Sequence, residues 1–225
     1  NAKDEPLLLN VGSFFGFLRE WMGLEPLLFA LHDEPALIED MMDTLCEMEA
    51  VCIRRAMDNV RVDAAMFWED MAFKTGPLIS PKMFRQFMMP RYKVITDLLR
   101  SKGVDIIFVD SDGALNHLIP LWLESGVNFF WPLECAAGND AIELRKKYGK
   151  DAILGGNIDK RALLKGKDVI RQEVMSKVPY LLETGGYFPS VDHFVPPDVP
   201  FDNYVYFINT LREVAGLPPL QRHSG

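Results

Sequence analysis

Two hydrophobic patterns take turns along this chain. Runs that are continuously apolar or alternate with period two read as strands over 7–12, 63–70, 104–112, 128–134, 152–159 and 187–193. Between them, apolar positions three and four apart read as helices. The first helix starts at Asp33-Glu34-Pro35, with Asp33 as N-cap, an acidic first turn and an early proline. Its stripe Leu37, Met41, Leu45, Met48, Cys52 carries it to about Asn59. Ser80-Pro81 opens a second helix that runs to about Lys102, with a kink or break at Pro90. Further helices are predicted over 114–124, 140–148, 168–183 and 200–214; glycines at 126, 149 and 185–186 stop the first three. Six strand–helix units in strict order predict a parallel sheet with helices outside. An open doubly wound sheet and a (β/α)8 barrel both satisfy that alternation. With no longer internal repeat and no linker-like stretch, a single domain over 1–225 is expected.

Composition narrows the partners. The 225 residues are 48% hydrophobic and 25% charged, the balance of a soluble globular protein. A net charge of −8 repels polyphosphate, so no nucleic-acid role is expected. The longest apolar candidate, 113–133, is broken by Pro120, Glu124 and two asparagines, so no membrane helix is expected either. Cys46, Cys52 and Cys135 form no CxxC and read as thiols of a reducing cytosol. Asn1–Pro6 lacks the pattern of a signal peptide and begins without methionine, so the natural N-terminus is expected to lie upstream. The glycine pairs 155–156 and 185–186 have no GxGxxG or Walker spacing around them, and no nucleotide cofactor is expected.

Candidate chemistry gathers at the C-terminal ends of the strands. These ends carry Glu69-Asp70, Asp110-x-Asp112, Glu134, Asn157-x-Asp159 and Asp192-His193. Asp and Asn commonly cap helices and make turns there. Acids at five of six ends exceed what capping alone requires. In a barrel the ends converge on one mouth; in an open sheet only those near the switch point meet. Crowded carboxylates need a cation, a proton or a basic partner to persist. Phe14, Phe15, Phe17 and Trp21, after the first strand, either wall a flat ligand or pack a loop. His32 and His117 read as structural, and the eleven methionines as core filling.

Three segments carry a family likeness. Gly156-Asn157-Ile158-Asp159 is similar to a GNxDP turn, with Lys160 in place of the proline. Asp192-His193-x-x-Pro196-Pro197-Asp198-x-Pro200-x-Asp202-Asn203 is similar to GHGIxPxTPxEN. Ser80-Pro81-x-x-Phe84-x-x-Phe87-x-x-Pro90-x-Tyr92 is similar to SPxxFxxFxxPY. On these motifs the chain resembles the uroporphyrinogen decarboxylase (URO-D) superfamily from about Leu7 to Ala215. That superfamily includes corrinoid-linked methyltransferases such as methylcobalamin:coenzyme M methyltransferase. The resemblance implies a (β/α)8 TIM barrel of the URO-D type. The six units here would be its strands three to eight, with strands one and two missing from this chain. Six strands cannot close a barrel, so a truncated chain or a partner covering the gap is expected.

The resemblance implies two chemistries. For a decarboxylase, His193 matches a histidine that contacts the substrate. The arginines and aspartate of the first two strand ends lie outside the chain, and the family tyrosine that would fall near Glu20 or Trp21 is absent. Arg19, Lys160 and Arg161 are the only basic residues near the strand ends. For the methyltransferases, zinc is held by His-x-Cys-Gly and a later cysteine. Here those positions read Asp110-Ser111-Asp112-Gly113 and His193. With the thiolates gone, Asp110, Asp112 and His193 form a set for a harder divalent ion or a labile zinc, with Glu134 nearby; a metal-free site in which Asp112 and His193 bind substrate through hydrogen bonds is the alternative. The resulting expectation is a corrinoid-linked methyltransferase-like enzyme. Asp112, His193 and Glu134 would be catalytic, and Asp159, Asn157, Phe15 and Trp21 would contact a small-molecule substrate. A corrinoid protein and a second copy in a homodimer are the expected partners, and the cytoplasm the expected location. A uroporphyrinogen decarboxylase and a non-catalytic binding protein on the same fold are the alternatives.

Overall fold

Each of the six apolar runs contains a strand in the computed structural model, which describes residues 5–220. The chain forms two compact units, one ending at Trp131 and the other beginning at Pro132.

In the first unit the elements run β1 (Leu8–Asn10), α1 (Phe15–Met22), α2 (Leu24–Asp33), α3 (Pro35–Met57), β2 (Ala64–Trp68), the antiparallel pair β3 (Ala72–Phe73) and β4 (Gly76–Pro77), α4 (Pro81–Met83), α5 (Met89–Ser101), β5 (Ile106–Asp110), α6 (Ile119–Glu124) and β6 (Phe129–Trp131). Its main strands lie parallel in the order β1-β2-β5-β6. Period two then decides the faces. Ala65 and Phe67, Ile107 and Val109, and Phe130 are fully buried, in a core shared with Ile38, Met42, Ile95, Leu99 and Trp122. Met66, Trp68, Phe108, Asp110, Phe129 and Trp131 share the opposite face and are half-buried.

Three local departures have physical causes. Residues 15–33 form two helices, α1 and α2, where the sequence predicts none. Asp33 therefore ends α2, and Glu34 takes the N-cap position of α3 with Pro35 at its start. The buried stripe of α3 is Ile38, Met42, Leu45, Ala50, Ile53; Leu37, Met48 and Cys52 are exposed, so the predicted stripe is turned by about one residue. At the predicted break, one turn of π-helix spans Phe84–Met88, directly before Pro90. Proline offers no N–H and crowds the carbonyl four residues back. The Arg91 guanidinium answers this by donating to the carbonyls of Gln86 and Phe87, both at 3.2 Å.

The second unit contains α7 (Ala141–Tyr148), β7 (Ile153–Gly155), α8 (Lys167–Thr184), β8 (Tyr187–Phe188) and α9 (Phe201–Val214). β7 and β8 pair in parallel, and a further bridge joins Ile158 to Val191. The Asp140 carboxylate caps α7 through the N–H groups of Ile142 and Glu143, within the helix predicted over 140–148. Ile158, Leu163, Ile170, Val174, Val178 and Phe207 form its buried core. Among the described residues, no helix is long and apolar enough to cross a membrane.

Candidate functional site

In the first unit, register brings two strand ends level. Trp68 of β2 pairs with Asp110 of β5, and the Glu69 N–H donates to the Asp110 carbonyl at 2.8 Å. The chain then turns sharply. Asp70 has φ +46°, a left-handed conformation that costs energy in a non-glycine residue. Neighbours hold it there. The Asp112 N–H donates to Asp70 Oδ1 at 3.2 Å, the Met71 N–H to Ser111 Oγ at 3.1 Å, and Arg19 Nη1 to the Asp70 carbonyl at 2.7 Å. The result gathers Asp70, Asp110 and Asp112, all half-buried, with one carboxylate oxygen from each lying within 4.8 Å of the others. Arg19 Nη2 lies 3.6 Å from Asp70 Oδ2, and its guanidinium sits over the Trp68 ring at 5.1 Å. Gly113 completes the D-x-D-G turn at φ +87°, where a Cβ would come within 2.5 Å of the Ala72 carbonyl oxygen.

Glu69 faces the other way and is fully buried. Its carboxylate accepts five hydrogen bonds. Oε1 takes Tyr92 Oη at 2.6 Å and the Phe14 N–H at 3.1 Å. Oε2 takes Ser13 Oγ at 2.8 Å, the Phe15 N–H at 2.7 Å and the Gly16 N–H at 3.1 Å. Burial pushes its pKa above the ordinary glutamate value, while the bonds from Tyr92, Phe14, Ser13 and Gly16 pull it back. The carboxylate thus sits at the N-terminus of α1, where free N–H groups and the helix dipole favour negative charge.

The second unit holds its own polar network. Asn157 has φ +63° and is buried. Its amide accepts from the Ala141 N–H and donates to the carbonyls of Leu133 and Asn139. Its own carbonyl accepts from Lys177 Nζ at 2.7 Å and from the Cys135 thiol at 3.3 Å. The buried Asp192 carboxylate accepts from the N–H groups of Cys135 and Lys160. Lys160 reaches Glu134 at 3.5 Å, and Arg161 grips Asp159, whose carboxyl it holds below the usual value. Burial drives the Cys135 thiol up to about 12 despite the lysine beside it. His193 meets the Phe194 ring edge-on.

Set against the sequence, Asp110 and Asp112 do come together, and the third member of their cluster is Asp70. Phe15 is fully buried, and Asn157 is 1% exposed with its amide engaged by the backbone. Trp21 is 61% exposed and stacks on Phe17 with ring centroids 5.8 Å apart. Glu134, Asp159 and His193 belong to the second unit. Sequence reasoning missed the division of labour between Glu69 and Asp70, yet a signal was present. Ala65, Phe67 and Glu69 share one parity, so Glu69 continues the buried face of β2. A thiolate zinc site does not fit these residues. Among the described residues no cysteine joins the aspartates, and Cys135 is a high-pKa thiol engaged by Lys177 and the Asn157 carbonyl. Three carboxylates fit a hard divalent cation.

Comparison with known proteins agrees with this fold. Residues 3–214 match the family described as uroporphyrinogen decarboxylase (URO-D). Among curated relatives, the chloroplastic uroporphyrinogen decarboxylase of Zea mays is 23% identical over 184 residues, covering 80% of this chain and 44% of that protein. The uroporphyrinogen decarboxylase of Carboxydothermus hydrogenoformans is 26% identical over 149 residues, covering 62% of this chain and 38% of that protein. The chain thus spans about half the length, or less, of the curated relatives it matches. Among solved structures, a methyltransferase from Methanosarcina mazei superposes with a TM-score of 0.67 at 20% identity, covering 95% of this chain and 60% of that one.

Proposed function

The chain belongs to the uroporphyrinogen decarboxylase family, and within it we propose a corrinoid-linked, methyltransferase-like enzyme working at the C-terminal ends of its parallel strands. The observation that carries this reading is the clustering of Asp70, Asp110 and Asp112. A porphyrinogen bears many carboxylates and needs cations around it. Three gathered aspartates, with Arg19 beside Asp70, are a poor seat for such a substrate. The fold shared with the Methanosarcina mazei methyltransferase is compatible with this choice.

Asp70, Asp110 and Asp112 would hold a hard divalent cation through their oxygens. Such an ion supplies Lewis-acid polarisation of a methyl donor or acceptor when bound. The chain's own residues prepare its seat. Arg19 pins the Asp70 carbonyl and balances part of the negative charge, and Trp68 supports the guanidinium. Gly113 brings the loop after β5 against the β3–β4 hairpin and so fixes the approach of Asp112. The exposed stack of Trp21 on Phe17 offers a flat apolar surface on α1 to a small-molecule substrate. A corrinoid protein is the proposed partner.

A decarboxylase is the second reading, favoured by the names of the curated relatives. Two substrates separate the readings in the full-length protein. With methylcobalamin, a thiol acceptor and Mn²⁺, the proposal expects thiol-dependent loss of the methylcobalamin spectrum. With uroporphyrinogen, it expects no release of carbon dioxide. Decarboxylation with no methyl transfer would overturn it in favour of the second reading. Neither turnover, with the cation still bound, would leave a binding protein.

A further inference from the structure

A buried carboxylate with five donors exceeds what packing a core requires, and its partners are not random. Four of the five donors come from the Ser13–Gly16 turn that starts α1, and the fifth is Tyr92 of α5. Trp122 steadies that phenol by donating to its oxygen at 3.2 Å. Through its own N–H, Glu69 is tied to the Asp110 carbonyl; through the peptide chain it precedes Asp70. One helical turn into α1 stands Arg19, which reaches back to the Asp70 carbonyl at 2.7 Å. Glu69 therefore joins the carriers of Arg19, Asp70 and Asp110 while touching no solvent itself.

We infer that Glu69 is the positioning residue of the carboxylate cluster: it locks the start of α1 to the end of β2, so that Arg19 and the left-handed Asp70 keep their mutual geometry. This inference rests on the reading of Asp70, Asp110 and Asp112 as the cation seat. Each oxygen of Glu69 faces at least two donors, so an amide in its place turns an N–H₂ toward N–H groups whichever way it lies. Loss of the lock frees the first turn of α1, and Arg19 and Asp70 move with it.

The test uses Tyr92→Phe and Ser13→Ala, which each remove one hydroxyl and keep the packing, together with Glu69→Gln. Two readouts are taken on the full-length protein: amide hydrogen exchange and the dissociation constant of Mn²⁺. The inference expects faster exchange confined to 13–19 and 69–72. It expects Mn²⁺ binding weakened by roughly tenfold in Tyr92→Phe and by more in Glu69→Gln, in line with the loss of one or several charge-assisted hydrogen bonds. Asp70→Asn serves as control: it should lose Mn²⁺ binding without faster exchange at 13–19. Exchange that rises evenly along the chain, or wild-type Mn²⁺ affinity in Tyr92→Phe and Ser13→Ala, would overturn the positioning role. If the wild-type protein binds no Mn²⁺, the cation seat fails. The exchange pattern then decides separately whether Glu69 locks α1 to β2.

Discussion

Replacing Asp70 by asparagine should stabilise the cation-free protein while removing its affinity for a cation. The substitution is nearly isosteric. Asparagine accepts the left-handed φ of +46° as readily as aspartate, and its Oδ1 can still accept from the Asp112 N–H. Arg19 keeps its stronger bond, to the backbone carbonyl. What changes is charge. Two carboxylate pairs within 4.8 Å each repel by about 3.5 kcal/mol at an effective dielectric of about 20. The Arg19–Asp70 attraction at 3.6 Å is worth about 4.6 kcal/mol on the same scale. On these three pairs alone the balance favours the variant by about 2 kcal/mol, and half-exposure to water cuts this to about 1 kcal/mol. For a chain of this length that is a rise in Tm of about 2–4 °C. Differential scanning calorimetry at low salt with a chelator measures it, and repeating the scan with Mn²⁺ reads the cation. The wild type should gain stability from Mn²⁺ and the variant should not. A variant less stable than the wild type in chelator, or equally stabilised by Mn²⁺, would refute the electrostatic reasoning.

Other outcomes follow from the same geometry. Gly113→Ala should cost about 1–3 kcal/mol in urea unfolding, because the new Cβ meets the Ala72 carbonyl at φ +87°. Arg161→Gln should narrow the stability gap to the wild type as pH falls. Asp159 has its folded pKa held below the unfolded value of about 3.8, so its contribution is present above that pH and lost below it; thermal melts at pH 6 and pH 3 read the difference. Iodoacetamide at pH 8 should label exposed Cys52 and spare Cys46 and Cys135, whose thiols burial raises to about 11 and about 12; peptide mass mapping of the native protein checks it.

The strands were legible because a parallel strand is apolar on both faces, and a run such as Val104–Asp110 shows that whatever its neighbours do. α1 and α2 were not. Leu24–Asp33 is apolar on nearly every side, so no polar face marks its period, although Pro26 in its first turn was a usable start signal. The α3 stripe slipped for the same reason. Leu37 and Ile38, and Met41 and Met42, are adjacent apolar pairs, and only packing decides which member faces inward. At the site, each aspartate was visible as a strand-end acid. Which of them meet depends on the Trp68–Asp110 register and on the turn at Asp70, both set by contacts distant in sequence. Glu69 and Asp70 are chemically alike neighbours, and only the period of β2 separates a buried strut from a half-buried member of the carboxylate cluster.

Anomalous diffraction from crystals of the full-length protein soaked in Mn²⁺ bears most directly on the cation seat. A single peak within about 2.0–2.6 Å of oxygens from Asp70, Asp110 and Asp112 is the predicted result. Three carboxylates that splay apart, or that gather only around Arg19 while Mn²⁺ binds elsewhere, would contradict it.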